Sequence, residues 1–249
     1  MKIRVAFMPV LANHVDSSVC IVIDALRATS CVVALFDSRC PRVYVAGNHA
    51  TAREYARSRG FALCGESEGF RVEGFDYGNS PTEFASLDFY GKPAVLSTTN
   101  GTKAINSVAS APVVLLGAVT NLTACVEAAW HAAVERDLDI MFVCSGTDEE
   151  FTLEDSLTAG LMAERFARLA AGQVNLEWAD SALAARKLSY TEPNMLRAWM
   201  TGNHARRLCD RGFGDDVAFC AQQDTSVIVP VLVREREADM VAAPVLLAV

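Results

Sequence analysis

Short runs of β-branched and apolar residues alternate along the chain with longer stretches whose apolar side chains recur every three or four positions. The first pattern reads as strand, the second as amphipathic helix. Ser18 to Ile23 is apolar at almost every position and predicts a strand buried on both faces. A helix over 27–37 follows, then a strand at Val43–Val45, a helix over 49–58 and a strand at Phe61–Cys64. Regularity then lapses, because residues 65–81 hold four glycines and a proline, too long a stretch for an idle connection. Strands at Ala94–Ser97, Val113–Leu116 and Asp139–Cys144 alternate with helices over 102–109, 120–135 and 153–170, the last capped by Gly172. Helical segments fill 177–210, and strands at about 226–233 and 240–247 end the pattern. Met1 to Leu11 faintly imitates a signal peptide, but no small-residue cleavage site follows, and the segment reads better as a first strand.

Alternation of this kind predicts an α/β protein, with mainly parallel sheets in an α/β/α layered arrangement. A single catalytic unit over 1–249 is expected, or two α/β lobes with the site between them, divided near 110–150. The length of 249 residues and a composition of 51% hydrophobic and 21% charged suit a globular core. A net charge of −8 disfavours a nucleic-acid partner, which needs a basic face. No apolar run reaches the roughly 18–20 residues of a membrane span, so no membrane partner is expected. The eight cysteines are scattered without a Cys-x-x-Cys pair, which predicts reduced core thiols and a cytoplasmic setting. The four histidines lack the spacing of a structural zinc site.

Ligands of parallel sheets bind at the carboxyl ends of the strands. The residues just past the strands are polar here: Asp24 with Arg27 and Thr29, Gly65-Glu66, Ser97 to Thr102, and Ser145 to Asp148. Thr98-Thr99-Asn100-Gly101-Thr102-Lys103 joins a strand to a helix, and reads equally as a phosphate cradle of free amides, hydroxyls and one ammonium or as a plain helix cap. Thr152 and Asp155 have capping-box spacing, yet Glu154 and Asp155 together with Asp24 and Glu66 would make an all-oxygen site suited to Mg²⁺. Separate solvated caps are the plainer reading of the same carboxylates. Gly65-Glu66-Ser67-Glu68-Gly69 matches a serine-hydrolase nucleophile elbow, with His131 or His204 as base, but the elbow needs a helix directly after it. No cysteine has an arginine six positions later, and Asp24 to Thr29 lacks the second aspartate of the Asp-x-Asp-x-Thr phosphatases. An Asp24 phosphoenzyme stays chemically open outside that family.

Taken together, the motifs resemble the Mg²⁺-dependent 2-phosphosulfolactate phosphatases of coenzyme M biosynthesis, nearly end to end. The resemblance rests on Val22 to Thr29, Gly74 to Pro81, Thr98 to Thr102, Cys144 to Thr147, Phe151 to Asp155, His204 to Leu208, and Asp224, in that order. It implies an α/β fold, Mg²⁺, and hydrolysis of (R)-2-phospho-3-sulfolactate, or a similar phosphorylated 2-hydroxy acid, to sulfolactate and phosphate. Asp24, Arg27 and Glu66 would then be catalytic, with Mg²⁺ on Asp24, Glu66, Glu154 and Asp155. Asn79, Ser80, Thr98, Thr99, Asn100, Gly101, Thr102, Lys103, Ser145, Gly146 and Thr147 would surround the substrate. Arg27 would pair with a carboxylate, sulfonate or phosphate, and the nucleophile would be a water or Asp24. Two departures stand out: Ser67 where the family usually has arginine after Gly-Glu, and Ala205 where glycine usually follows the histidine. The expected partner is a small anionic phosphoester, with homo-oligomerisation open. A serine hydrolase, which Ser67→Ala would inactivate and chelation would not, and a non-catalytic binder of anionic metabolites are the competing classes.

Overall fold

Pro9, which cannot donate to a ladder, ends the first strand early. β1 covers only Lys2–Ala6, and Pro9–Leu11 turns as a 3₁₀ helix. The computed structural model describes residues 1–233 and the backbone of 245–248. β2 (Ser18–Ile23), α1 (Ala28–Asp37), β3 (Val43–Ala46), α2 (His49–Arg59) and β4 (Ala62–Ser67) follow in the predicted order. The irregular stretch contains a two-residue strand, β5 (Phe70–Arg71), paired antiparallel with the end of β4, and leads into α3 (Pro81–Ala85). Next come β6 (Ala94–Ser97), α4 (Gly101–Ser107), β7 (Val113–Gly117), α5 (Leu122–Arg136), β8 (Asp139–Cys144) and α6 (Leu153–Ala170). The span expected to be wholly helical opens with a strand, β9 (Glu177–Trp178), before α7 (Asp180–Ser189), α8 (Met195–Trp199), α9 (Asn203–Asp210) and the unpredicted α10 (Gly214–Cys220). Of the expected strand at 226–233 only β10 (Leu232–Val233) forms. β11 (Val245–Ala248) takes the end of the last one, whose residues 240–244 lie outside the described residues.

The strands divide between two sheets. One has the order β7-β2-β8-β1-β9 and is parallel throughout. The other has the order β10-β11-β3-β6-β4-β5, parallel at β3-β6-β4 and antiparallel toward its edges. Successive strand residues point to opposite faces, so Ile21, Ile23 and Phe142 pack with Val126, Met162 and Phe166 of α5 and α6 on one side of the first sheet. Cys20, Val22 and Val143 point the other way, into a core shared with Val32 and Leu35 of α1, Ile105 of α4, and Val45 and Leu96 of the second sheet. Tyr44, Leu63 and Val95 on the far side of that sheet meet Ala52 and Tyr55 of α2. The layers therefore run helix, sheet, helix, sheet, helix, with α1 and α4 in the middle. Burial on both faces accounts for the unbroken apolar run of β2.

All eight cysteines are free, and seven are buried. Burial pushes the thiols of Cys125 and Cys220 up to about 12, which keeps them protonated and inert. Among the described residues no helix is long and apolar enough to cross a membrane.

α6 and α7 lie so close that a Cβ at Gly160 would stand 2.1 Å from the Ala185 carbonyl oxygen. Glu164 fastens this contact by accepting from Arg186 at 2.6 and 3.1 Å, from Arg168 at 3.0 Å and from the Tyr190 hydroxyl. Burial alone would raise the Glu164 carboxyl, but these donors outweigh it and hold it at about 2, below its ordinary 4.5. A depressed carboxyl stabilises the fold above the unfolded value and loses that contribution as pH falls through the folded one. Partly screened by solvent, the cluster contributes about 1–2 kcal/mol. Glu164→Gln should therefore lower Tm at pH 7 by about 3–6 °C. In melts repeated at lower pH, the gap from wild type should narrow between pH 4.5 and 2.

Candidate functional site

Asp24 is the first residue past β2, and its carboxylate folds back over the start of α1. Oδ1 accepts from the Ala28 amide at 3.0 Å and Oδ2 from the Ser145 hydroxyl at 3.1 Å. Directly behind it, Asp155 at the start of α6 accepts from the amides of Ala25 at 2.8 Å and Gly146 at 3.1 Å, clamping the loop after β2 to the loop after β8. Its neighbour Glu154 holds His204 Nδ1 at 2.5 Å through Oε1, while Oε2 is buried without a partner among the described residues. On the second sheet, Glu66 at the end of β4 accepts from the amides of Thr99 and Gly69, both at 2.7 Å. Asp24 and Glu66 thus come from the carboxyl ends of different sheets and line one cleft of about 450 Å³, a volume within the range of small-molecule sites.

The cleft brings together Asp24, Arg27, Glu66, Ser67, Asn79, Thr98, Thr99, Asn100, Thr147 and His204 of the residues singled out from sequence. Asn79 is buried at the wall, and its side-chain oxygen has no partner among the described residues. The other expected residues do not line the cleft. Ser145 and Gly146 act behind the wall on Asp24 and Asp155, and Ser80 turns to Asp216 at 2.7 Å. Lys103 is exposed outside the cleft, so the expected cradle lacks its ammonium. The cradle amides are also partly taken, Thr99 by Glu66 and Thr102 by the Thr98 hydroxyl at 3.1 Å. The amides of Asn100 and Gly101 have no acceptor among the described residues. Glu154 and Asp155 do not reach the cleft either, and among the described residues no three His, Cys, Asp or Glu side chains converge as a metal cage. The expected four-carboxylate set therefore reduces to two that face the cleft.

Arg27 corrects a second expectation. Its guanidinium donates to Asp216 Oδ2 at 2.7 Å and to the Gly69 carbonyl at 2.7 Å, and stacks 4.1 Å from the Phe213 ring centre. Asp216 accepts in turn from the hydroxyls of Ser80 and Thr82. With its side chain only 2% exposed, Arg27 ties α10 and α3 to the site floor and spends two of its donors on protein acceptors. The elbow reading fails too, because Ser67 is exposed at a β4–β5 hairpin with no helix behind it. Asp224 stands apart from the cleft and holds the Thr123 amide at 2.7 Å and its hydroxyl at 2.8 Å, at the start of α5.

Of the remaining cleft residues, the segment His204 to Leu208 was named from sequence, but Arg207 and Arg211 were given no role. His204, Arg207, Leu208 and Arg211 line one wall, and their i, i+3, i+4, i+7 spacing is one face of a helix. That spacing is readable in sequence, but which neighbour the face meets is not.

Burial pushes the Asp24 carboxyl above the ordinary carboxylate range, opposed by the Ala28 amide, the charge of His204 and the Ser145 hydroxyl, and reinforced by Glu66. Asp155 is pushed well above that range, by burial first and then by the charges of Asp24 and Glu154. Carboxylates crowded and desolvated in this way are costly together unless a cation shares them. Asp24 and Glu66 fit a hydrated Mg²⁺, which takes hard oxygen ligands and needs only one or two carboxylates. Each keeps unused lone pairs beyond its donors from the protein.

A sequence model of the 2-phosphosulpholactate phosphatase family matches residues 8–235. Among similar curated proteins, one from Thermotoga petrophila is 36% identical over 222 residues, spanning 89% of this chain and 92% of its own. One from Thermus thermophilus is 34% identical over 234 residues (93% and 94%), and one from Carboxydothermus hydrogenoformans is 32% identical over 234 residues (92% of each). All three are named as probable 2-phosphosulfolactate phosphatases.

Proposed function

Because the chain belongs to the 2-phosphosulfolactate phosphatase family, we propose that its cleft hydrolyses (R)-2-phospho-3-sulfolactate, or a closely similar phosphorylated 2-hydroxy acid, to the hydroxy acid and phosphate. The observation that carries this reading is the desolvated Asp24 carboxylate in one cleft with Asn100, whose amide has no acceptor among the described residues, and with His204. The Asn100 amide receives a phosphoryl oxygen, as backbone N–H groups entering a helix do. Asp24 stands where the attacking oxygen enters, as nucleophile or as the group that orients a water. With Nδ1 held by Glu154, His204 has Nε2 left for the cleft, and it gives its proton to the substrate oxygen as the P–O bond breaks. Glu154 fixes that ring orientation from behind. Asp24 and Glu66 would hold Mg²⁺, which would supply charge neutralisation for the phosphoryl group. Free, buried thiols suit a reducing cytoplasm.

Phosphate release from 2-phospho-3-sulfolactate tests the reading. Turnover should require Mg²⁺, stop on chelation and return when the ion is restored. Full turnover after exhaustive chelation would remove the metal from the proposal. Binding of phosphoesters without any release of phosphate would leave a metabolite-binding protein instead.

A further inference from the structure

Among the described residues, three arginines line the cleft, Arg27, Arg207 and Arg211, and His204 lies with them. Two are committed elsewhere, Arg27 to Asp216, the Gly69 carbonyl and the Phe213 ring, and His204 to Glu154. Among the described residues, Arg207 and Arg211 are each held only at one tip. Arg207 Nη1 meets Asp148 at 3.3 Å, with the two side chains 43% and 67% exposed. Arg211 Nη1 donates to the Glu68 carbonyl oxygen, and its guanidinium rests near the Phe70 ring. An exposed pair such as Arg207–Asp148 contributes at most about 1 kcal/mol, so a better-placed anion displaces it. A guanidinium has five N–H donors in a plane that matches a carboxylate or sulfonate edge, and each of these two arginines spends one.

The placement is as informative as the spare donors. Arg207 and Arg211 are four residues apart on the α9 wall, one turn from each other, and Arg207 is nearly one turn beyond His204. A lone phosphoryl group beside Asp24 and Asn100 does not call for two further guanidiniums, and like charges set side by side repel unless anions sit between them. We infer that Arg207 and Arg211 are specificity-determining residues, each gripping one acidic group that the substrate keeps after phosphate leaves. The cleft thereby selects phosphoesters that carry additional acids over simple ones. This deepens the phosphatase reading and rests on it. It also gives the site a recognition element that does not need a basic side chain at position 67, where Ser67 stands.

Arg207→Gln and Arg211→Gln test it across three substrates: 2-phospho-3-sulfolactate with two further acids, 2-phospholactate with one, and glycerol 2-phosphate with none. Loss of a charge-assisted grip should raise KM for the first by about 30-fold in each variant, with kcat little changed. The increase should be smaller for the second substrate and under about threefold for the third. Equal increases on all three would overturn the inference and assign the arginines to the phosphoryl group. No increase on any would leave them as ties between rim loops. Asp148→Asn separates the same alternatives, since freeing Arg207 should keep or lower KM for the sulfonated substrate, whereas a rise matching Arg207→Gln would make the tie to Asp148 the whole effect. Arg211→Lys keeps the stem and the charge, and it should restore part of the lost affinity if Arg211→Gln disturbs folding. Calorimetric titration with 3-sulfolactate, which has no phosphate to lose, should show weaker binding in both glutamine variants. If wild type cleaves none of the three phosphoesters, the phosphatase reading falls, while this titration still decides what the arginines hold.

Discussion

Asp24→Asn is expected to lower kcat at least a thousandfold, roughly 4 kcal/mol of transition-state stabilisation, in a protein that still folds. The side chain keeps its shape, and the asparagine oxygen can still accept from the Ala28 amide, as Oδ1 does at 3.0 Å. The new NH₂ group would lie toward the Ser145 hydroxyl, which can turn from donor to acceptor. What disappears is the negative charge that attacks, orients water or holds the cation. The charge of Asp24 acts on Asp155, and that of Glu66 acts on Asp24, so removing the Asp24 charge relieves repulsion. Tm without Mg²⁺ should therefore hold or rise, and calorimetric Mg²⁺ binding should weaken. Steady-state phosphate release beside thermal melts decides the matter. An active but destabilised variant would make Asp24 only the cap of α1.

Gly101→Val should lower kcat/KM by at least about a hundredfold, because a small misplacement of a reacting group has that scale of effect. Sequence alone predicts an intact fold for this variant, since a glycine at a helix entry reads as room for phosphate. The structure changes that expectation. A Cβ at Gly101 would stand 2.4 Å from Ala28 Cβ and 2.5 Å from Asp24 Oδ2. The glycine is there because α4 enters against α1, and overpacking such a contact costs about 1–3 kcal/mol. Tm should fall along with activity. The combination Gly101→Ala with Ala28→Gly separates the two effects, since it vacates one clash and keeps the other. Stability should recover and activity should not. Recovery of both would mean that Gly101 matters only for packing and that Asp24 tolerates displacement.

Element type and order were legible because they depend on local rules. β2 and β8 are apolar runs whose side chains are buried almost throughout, and α6 shows helical periodicity from Leu153 to Ala170. The polar residues after strands were legible as site candidates for the same reason: a chain that leaves a buried strand with Asp24 or Glu66 places a carboxylate at the sheet edge. Short elements were not legible. β5, β9 and β10 have two residues each, too few for any period, and only partners across the sheet hold them.

Which of the candidates would meet was a matter of tertiary structure. Glu154 and Asp155 are adjacent in sequence, yet one holds His204 and the other clamps two loop amides, because successive positions on a helix point about 100° apart. Arg27 reads as a free cation until Asp216, 189 residues later, arrives on α10 and consumes it. Arg207 and Arg211 read as two surface charges until α9 packs its face along the cleft. Sequence by itself determined that this chain is α/β, that its polar loops gather at the carboxyl ends of strands, and that the motifs of a phosphatase family run through it in order. Only the folded molecule decided which groups line the cleft and which stand behind it. Local periodicity governs the state of each segment, whereas the partner of a buried charge is set by contacts between segments that no local pattern encodes.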